Sequence, residues 1–252
     1  MKLNNIISYT QSRRRSFTTS VARFVYVAML IATMSAGLAS CSNDGYATGD
    51  NGNSYLTADL ALLHTNSSKA AYAATLDDGT LLQIANPFVT KWMEKADTVY
   101  RALLYYDKTN DANTQVKARS VVQVPVMGVA KAADVKEMHT DPLDVESVWT
   151  AKNDTYINMS LLLKSGTASD VDARQSIGLV LEQVYTDSDG LRHAVLRMYH
   201  NQNGVPQYYT TQQYASVDAK QLGADVVELH VNTYKGEIVK TIELKPQNKK
   251  TT

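Results

Sequence analysis

Residues 225–234 read Asp-Val-Val-Glu-Leu-His-Val-Asn-Thr-Tyr, and this stretch carries the repeat that decides the fold. Its side chains alternate in character: Val227, Leu229 and Val231 point to one side, and Glu228, His230, Asn232 and Tyr234 point to the other. A period of two is the repeat of a β-strand, whose successive side chains lie on opposite faces. The stretch is therefore predicted to be a strand with one buried face and one face in water.

The same repeat occurs throughout the C-terminal half of the chain. Further strands are predicted at residues 145–149, 155–164, 176–185, 191–199, 207–214 and 238–244, with hairpin turns at 187–190 and 235–236. One helix is expected at residues 216–222, capped by Ser216 and ended by Gly223. Seven strands separated by turns predict an antiparallel β-sandwich, which we assign to residues 131–248.

Five more strands are predicted upstream, at residues 55–65, 71–76, 80–84, 100–106 and 116–126. Between the third and the fourth, Asn86 is placed to cap a helix that begins at Pro87 and runs to about Lys95. This order is that of an oligonucleotide/oligosaccharide-binding (OB) barrel, which we assign to residues 54–130. The predicted fold class is therefore all-β, an OB-like five-stranded barrel followed by an antiparallel β-sandwich.

Residues 1–40 have the layout of a lipoprotein signal peptide. A basic segment without acidic residues precedes a run of apolar and small residues, which ends in the lipobox Leu38-Ala39-Ser40-Cys41. Cys41, the only cysteine, is the expected lipidation site. The apolar run is shorter than the roughly 20 residues that a membrane-spanning helix needs, which favours cleavage over a permanent helical anchor. Residues 41–53 are polar and glycine-rich, and we expect them to be a flexible tether.

The leader also contains an arginine run that bears on the export route. Arg14-Arg15-Ser16-Phe17 resembles part of a twin-arginine export motif. Thr18 and Thr19 stand where that motif has apolar and basic residues, so an ordinary basic leader is favoured over folded export.

The charge of the mature chain limits its partners. The leader holds 5 of the 25 basic residues and none of the 25 acidic ones, which leaves 20 basic against 25 acidic residues, a net charge of −5. Proteins that bind nucleic acid need basic side chains to displace counterions from phosphates. We therefore expect no nucleic-acid partner.

Several strand segments carry a family resemblance. They are Tyr55-Leu56-Thr57-Ala58-Asp59-Leu60 with Leu63-His64-Thr65-Asn66, Tyr100-Arg101-Ala102-Leu103-Leu104-Tyr105-Tyr106, Val124-Pro125-Val126-Met127-Gly128, and Val148-Trp149 leading to Tyr156-Ile157-Asn158-Met159. They resemble the NigD-like lipoproteins of Bacteroidetes over nearly the whole mature chain. The resemblance implies an N-terminal OB-type barrel joined to a C-terminal β-sandwich. It also implies a role in bacteriocin immunity, proposed from the operon that gave the family its name. That family has no assigned catalytic residues, so none is carried over.

The residue types that carry chemistry form no recognisable constellation. His193 and His200 are an odd number of residues apart on one predicted strand, so they point to opposite faces and form no metal pair. Asp107, Thr109, Asp111 and Asn113 have the alternate spacing of a calcium loop, but Ala112 and Ala118 stand where the loop needs glycine and glutamate. A polar hairpin loop is the favoured interpretation. We predict no catalytic residues, no metal site and no cofactor.

One strand could serve recognition. Residues 208–214 read Tyr-Tyr-Thr-Thr-Gln-Gln-Tyr, with no aliphatic side chain on either face. The favoured interpretation is a polar edge strand whose tyrosines lie over their neighbours. The alternative is a recognition surface formed by Tyr208, Tyr209, Gln212 and Tyr214, because tyrosine gives contact area at low entropic cost.

The sequence supports two hypotheses of function. The first is a non-enzymatic lipoprotein with a binding or protective role similar to bacteriocin immunity. It would be anchored in the outer membrane through acylated Cys41, facing the periplasm or the cell exterior, with an envelope protein, a peptide or a glycan as its partner. The alternative is a glycan-handling enzyme or accessory lipoprotein at the cell surface.

Overall fold

The computed structural model describes residues 7–8, 56–107, 114–167 and 173–244. Its strands are β1 (Ile7–Ser8), β2 (Leu56–Thr65), β3 (Ala71–Leu76), β4 (Leu81–Phe88), β5 (Val99–Asp107), β6 (Gln115–Gln123), β7 (Val126–Met127), β8 (Val129–Lys131), β9 (Asp144–Thr150), β10 (Tyr156–Ser165), β11 (Ser176–Thr186), β12 (Arg192–Asn201), β13 (Tyr209–Asp218), β14 (Val226–Thr233) and β15 (Gly236–Glu243). Two short 3₁₀-helices, Ala132–Asp134 and Ala219–Leu222, complete the elements. The predicted fold class, a barrel followed by a sandwich, is confirmed.

The first five long strands close into a barrel in the order β2-β3-β4-β6-β5. Four of its contacts are antiparallel, and the barrel closes through a short parallel pairing of β4 with β6 at Gln83–Gln115 and Ile84–Val116. Its interior is filled by small and branched side chains that are almost fully buried, including Ala61, Leu63, Ala74 and Leu104, and by Met93 from the segment between β4 and β5. Alternation along each strand thus supplies the barrel core.

The predicted helix at residues 87–95 is wrong. Strand β4 continues through Asn86 and Pro87 to Phe88, and the chain then turns back to β5 without a helix. The Asn86 side chain explains the difference, because its amide donates to the Ala118 carbonyl at 3.0 Å and accepts from the Ala118 N–H at 2.9 Å. Asn86 therefore extends the β4–β6 contact through its side chain, and Pro87 needs no ladder donor at this edge.

The C-terminal half packs two sheets face to face. One has the order β7-β13-β10-β9, and the other has the order β1-β11-β12-β14-β15 with β8 also paired to β11. Leucine, valine, isoleucine and methionine side chains fill the space between them, among them Leu161, Leu163, Leu179, Leu196 and Val231. Three of the strand pairs, β7–β13, β8–β11 and β12–β14, are parallel, so the sandwich is not purely antiparallel.

The helix predicted at residues 216–222 is only a single turn. Strand β13 continues to Asp218, whose side chain caps the 3₁₀-helix Ala219–Leu222 by accepting from the Lys220 N–H. Gly223 ends the turn in the left-handed region with φ 55°, as its position predicted. The predicted cap at Ser216 is wrong, because this residue is fully buried within β13.

Barrel and sandwich follow each other almost without a linker. The last barrel strand ends at Gln123, and β7 already pairs with β13 at Val126. The barrel, the sandwich and β1 belong to one compact unit. Within the described ranges, no helix is both long and apolar enough to cross a membrane.

Candidate functional site

A buried arginine joins the barrel to the sandwich. Arg101 on β5 is 5% exposed, and its guanidinium donates to both carboxylate oxygens of Asp77 at 2.5 and 2.7 Å. It also donates to Asn158 Oδ1 at 2.9 Å and to Ser216 Oγ at 3.2 Å. Its Cζ lies 4.4 Å from the centre of the Tyr156 ring. Because Arg101 and Asp77 come from the barrel and the other three from the sandwich, this network fixes how the two modules sit.

The network follows from strand register. Asn158 and Ser216 are directly paired on β10 and β13, so both side chains point to the same face of that sheet, toward the barrel. Asn158 Nδ2 also donates to Asp77 Oδ2 at 2.8 Å, and the Ser216 hydroxyl donates to Asn158 Oδ1 at 2.8 Å. A buried charge is tolerated only when it is paired and hydrogen-bonded, which this arrangement provides.

Beside the network lies a small apolar cluster. Leu60, Leu103 and Val124 are its buried members, and Tyr105, Trp149 and Tyr214 pack against them. The Trp149 and Tyr214 rings meet edge to face, with centroids 6.4 Å apart and planes at 83°. The cluster holds these aromatic rings at fixed positions on strands of both modules.

The aromatic rings line a cleft of about 440 Å³ between the barrel and the sandwich. Its lining comes from strands β2, β5, β9 and β13, the end of β3, the β3–β4 turn and the segment after β9. The lining residues are Ala58, Asp59, Leu60, Leu76, Asp77, Asp78, Leu103, Tyr105, Ser147, Trp149, Thr150, Ala151, Lys152 and Tyr214. This volume lies in the range of small-molecule sites. The cleft is the candidate site.

Three aspartates belong to the lining of the cleft, and their carboxylates have different environments. Asp59 Oδ2 accepts from the Tyr106 hydroxyl at 2.7 Å, and burial together with this bond raises the pKa of Tyr106. The Asp77 carboxylate forms an ion pair with the Arg101 guanidinium. Hydrogen bonds from Thr80 lower the pKa of Asp78, whose Oδ2 lies 3.9 Å from Lys152 Nζ. Asp59 is the one carboxylate of the lining that has no cationic partner among the described residues.

The four residues of the predicted recognition surface do not lie on one face. Tyr208 is 72% exposed, precedes β13 and packs over Gly166, where an added Cβ would come within 2.8 Å of its ring. Tyr209 and Tyr214 differ by an odd number of positions on β13, so they point to opposite faces. Gln212 shares the face of Tyr214 and donates to Ser160 Oγ at 2.9 Å. Only Tyr214 of the four lines the cleft.

A second polar cluster lies on the outer face of the other sheet. Both ring nitrogens of His193 lie 2.9 Å from carboxylate oxygens, one of Asp187 and one of Glu228. Tyr185 stacks on the imidazole with centroids 4.6 Å apart and donates to Glu228. The hydrogen bond to Asp187 is the main cause that raises the pKa of His193, and bonding to Tyr185 and His193 lowers the pKa of Glu228. These contacts join β11, β12 and β14, so the cluster is a cross-strand ion pair.

The remaining sequence candidates also have clear positions. His200 is 1% exposed and lies on the inner face of β12, whereas His193 lies on its outer face, as their odd spacing predicts. Asp107 ends β5 and pairs with Arg119, while residues 109, 111 and 113 of the loop lie outside the described residues. Cys41, the leader apart from β1, and the tether lie outside them too. No group of three metal-ligating side chains occurs within the described ranges.

The sequence did not reveal the cleft. The sequence pattern indicates only that Asp59, Tyr105 and Trp149 lie on strands and that Asp77 and Asp78 lie in a turn. These residues are up to about 90 positions apart in the sequence and are brought together by the pairing and packing of the sheets. Short-range periodicity carries no information about such distant neighbours.

Solved structures share this architecture. A NigD-like immunity protein from Bacteroides caccae is 18% identical, with a TM-score of 0.56 over 73% of this chain and 90% of that one. A protein of unknown function, DUF1344, from Bacteroides vulgatus is 15% identical, with a TM-score of 0.55 over 76% of this chain and 93% of that one. A protein from Bacteroides fragilis described as "Putative lipoprotein" is 12% identical, with a TM-score of 0.55 over 75% of this chain and 98% of that one.

A comparison with protein-family models and one with curated proteins gave no match. At identities this low, the structural likeness establishes a shared fold. The architecture implied by the resemblance to NigD-like proteins is confirmed, and the resemblance itself is supported.

Proposed function

We propose that this chain is an envelope lipoprotein that binds a ligand in the junction cleft and catalyses no reaction. The cleft itself is the observation that carries the proposal. It presents aromatic rings and hydrogen-bonding groups on strands of two modules, and the buried Arg101 network fixes those modules together. A site built on rigid elements loses little entropy when it binds its ligand.

The protonation of the carboxyl groups supports binding over catalysis. A glycoside-cleaving enzyme uses one carboxylic acid whose pKa is raised so that it can donate a proton. Where the pKa of a described carboxyl group is displaced, the displacement is downward, at Asp78, Asp107, Asp187, Glu228 and Glu237. These five carboxyl groups are therefore held in the ionised form and are not tuned as general acids.

The anchor is proposed from the lipobox. Acylation of Cys41 after cleavage would leave about 15 residues before β2, enough to span at most about 50 Å when fully extended. The cleft would then work close to an outer-membrane surface, on its periplasmic or exterior side. Cleavage would also remove β1, which contributes only two residue pairs to the edge of β11.

A protective role is part of the proposal. The name of the Bacteroides caccae structure refers to immunity. For this chain, protection would mean that the cleft captures a bacteriocin or covers its envelope receptor. The alternative of an accessory glycan-binding lipoprotein uses the same cleft and is favoured by its aromatic lining.

The test compares capture by two matched variants. A protein tagged at Thr252 is purified from the native envelope, and the retained material is identified by mass spectrometry and by carbohydrate analysis. Ser147→Arg places a large side chain in the cleft from an exposed position on β9, and Thr241→Arg adds the same side chain at an exposed position on β15. We expect Ser147→Arg to lose material that the unchanged protein and Thr241→Arg retain. Identical retention by all three would refute the proposed site.

A further inference from the structure

The chemistry of the lining indicates the class of ligand. We infer that the junction cleft holds a neutral sugar unit of an oligosaccharide, an inference that rests on the binding role proposed above. Three features of the cleft carry it: its aromatic faces, its hydroxyl groups and its charge balance.

Aromatic and apolar surface forms one part of the lining. Tyr105, Trp149 and Tyr214 are half-buried, so each ring keeps a part of its surface open to the cleft. The C–H bonds on one face of a sugar ring pack against such rings, whose faces carry partial negative charge. Because Trp149 and Tyr214 meet at 83°, the two rings present differently oriented surfaces to a single ligand.

Hydroxyl groups form the second part. Tyr105, Ser147 and Tyr214 belong to the lining, and none of their three hydroxyls is hydrogen-bonded to another described group. A hydroxyl both donates and accepts, which matches the hydroxyls of a sugar.

The charge balance separates a sugar from a basic peptide. Asp77 is paired with Arg101, and Asp78 faces Lys152, so Asp59 is the one carboxylate of the lining without a cation. A site for lysine or arginine side chains would need several carboxylates without a cationic partner, and the hydroxyls of the lining would contribute little to it. The remaining negative charge disfavours sulfated and uronic-acid sugars, which leaves neutral ones.

The same face continues beyond the cleft. Gln212 is the neighbour of Tyr214 on this face of β13. Its side-chain amide donates to Ser160 Oγ of β10 and to the Glu146 carboxylate of β9. These polar groups could contact the next unit of a chain, so an oligosaccharide is expected to bind better than a monosaccharide.

The intrinsic fluorescence of the cleft provides the assay. The chain has two tryptophans, and Trp92→Phe leaves Trp149 as the only one. The protein from Ser42 to Thr252 with this change is first screened on a printed array of neutral oligosaccharides of hexoses and N-acetylhexosamines. The strongest binders are then titrated up to millimolar concentration while the Trp149 emission is recorded.

We expect a saturable change in Trp149 emission that Thr241→Arg preserves. Ser147→Arg should weaken binding at least tenfold, and Tyr105→Phe by a few-fold to about tenfold through the loss of one hydrogen bond. If no array member alters the emission, or if Ser147→Arg binds equally well, the inference is overturned. Saturation by oligolysine in place of sugars would overturn the sugar assignment and leave the binding role standing. Envelope capture that does not depend on position 147 would defeat the binding role itself.

Discussion

The Arg101 network is predicted to contribute strongly to the free energy of unfolding. Arg101→Met removes the guanidinium and leaves an aliphatic side chain of similar length at the junction. The change deletes four hydrogen bonds, two to Asp77 and one each to Asn158 and Ser216. Breaking a largely buried ion pair by removing one partner costs about 3–5 kcal/mol, because the remaining charge, here on Asp77 with its side chain 20% exposed, loses its compensating partner.

The assay is urea unfolding of the chain from Ser42 to Thr252. We expect the free energy of unfolding to fall by about 3–5 kcal/mol and the transition to become less cooperative, since the network couples barrel and sandwich. Adding Asp77→Asn to the Arg101→Met protein should cost little more, because the charge that lost its partner is removed.

Arg119→Met is the control for this experiment. Its side chain is half exposed and pairs with Asp107 at the surface of the barrel, so its loss should hardly change stability. If Arg101→Met is as mild as Arg119→Met, the network does not hold the junction, and the geometry assigned to the cleft loses its support.

Three more predictions concern the anchor, the ion pair and the tyrosines. Cys41→Ser should abolish labelling by an alkyne fatty acid and partition into detergent, and a variant that is still labelled would rule out acylation at this position. The hydrogen bond to Asp187 raises the pKa of His193, so this ion pair stabilises the fold at about pH 6, where the imidazole is protonated and the Asp187 and Glu228 carboxylates are ionised. The stabilisation is lost as the pH rises through the raised pKa of His193; Asp187→Asn should lower that pKa in an NMR titration, and an unchanged value would contradict the assignment. Tyr208→Ala should leave the melting temperature unchanged, whereas Tyr214→Ala should cost on the order of 2 kcal/mol because its ring packs in the junction cluster; equal effects of the two changes would refute this division.

The strands could be predicted because their signal is local. Twelve strands had period-two patterns or flanking turns, and they lie within a few residues of their predicted bounds, as for the strand predicted at residues 71–76 and found at Ala71–Leu76. Strands β7 and β8 were missed because two or three residues are too short for a repeat.

The two helix errors have a common physical cause. Asn86 and Ser216 both looked like helix caps, since such side chains satisfy free N–H groups at helix starts. In the fold, each satisfies a partner distant in sequence, the Ala118 backbone for Asn86 and the Arg101 network for Ser216. A local rule cannot anticipate a partner that the fold brings close.

The candidate site was beyond prediction for the same reason. The composition of residues 208–214 indicates a possible recognition surface, but the alternation of side chains along β13 places its tyrosines on two faces. For Trp149 and Asp59, which belong to the site, the sequence predicts only a position on a strand. The register of β9 and β13 on either side of β10 places Trp149 near Tyr214, and packing of this sheet against the barrel brings both next to barrel residues.

The most direct test of ligand binding in the junction cleft is photocrosslinking in living cells. A photoreactive amino acid replaces Ser147 in the cleft or, as a control, Thr241 on β15. Both positions are exposed, so reactivity toward water and bulk solutes is matched. We predict a discrete adduct of increased mass from position 147 that is absent from position 241 and is lost when Trp149 is changed to alanine. No adduct at position 147, or the same adduct at both positions, would contradict binding in the cleft.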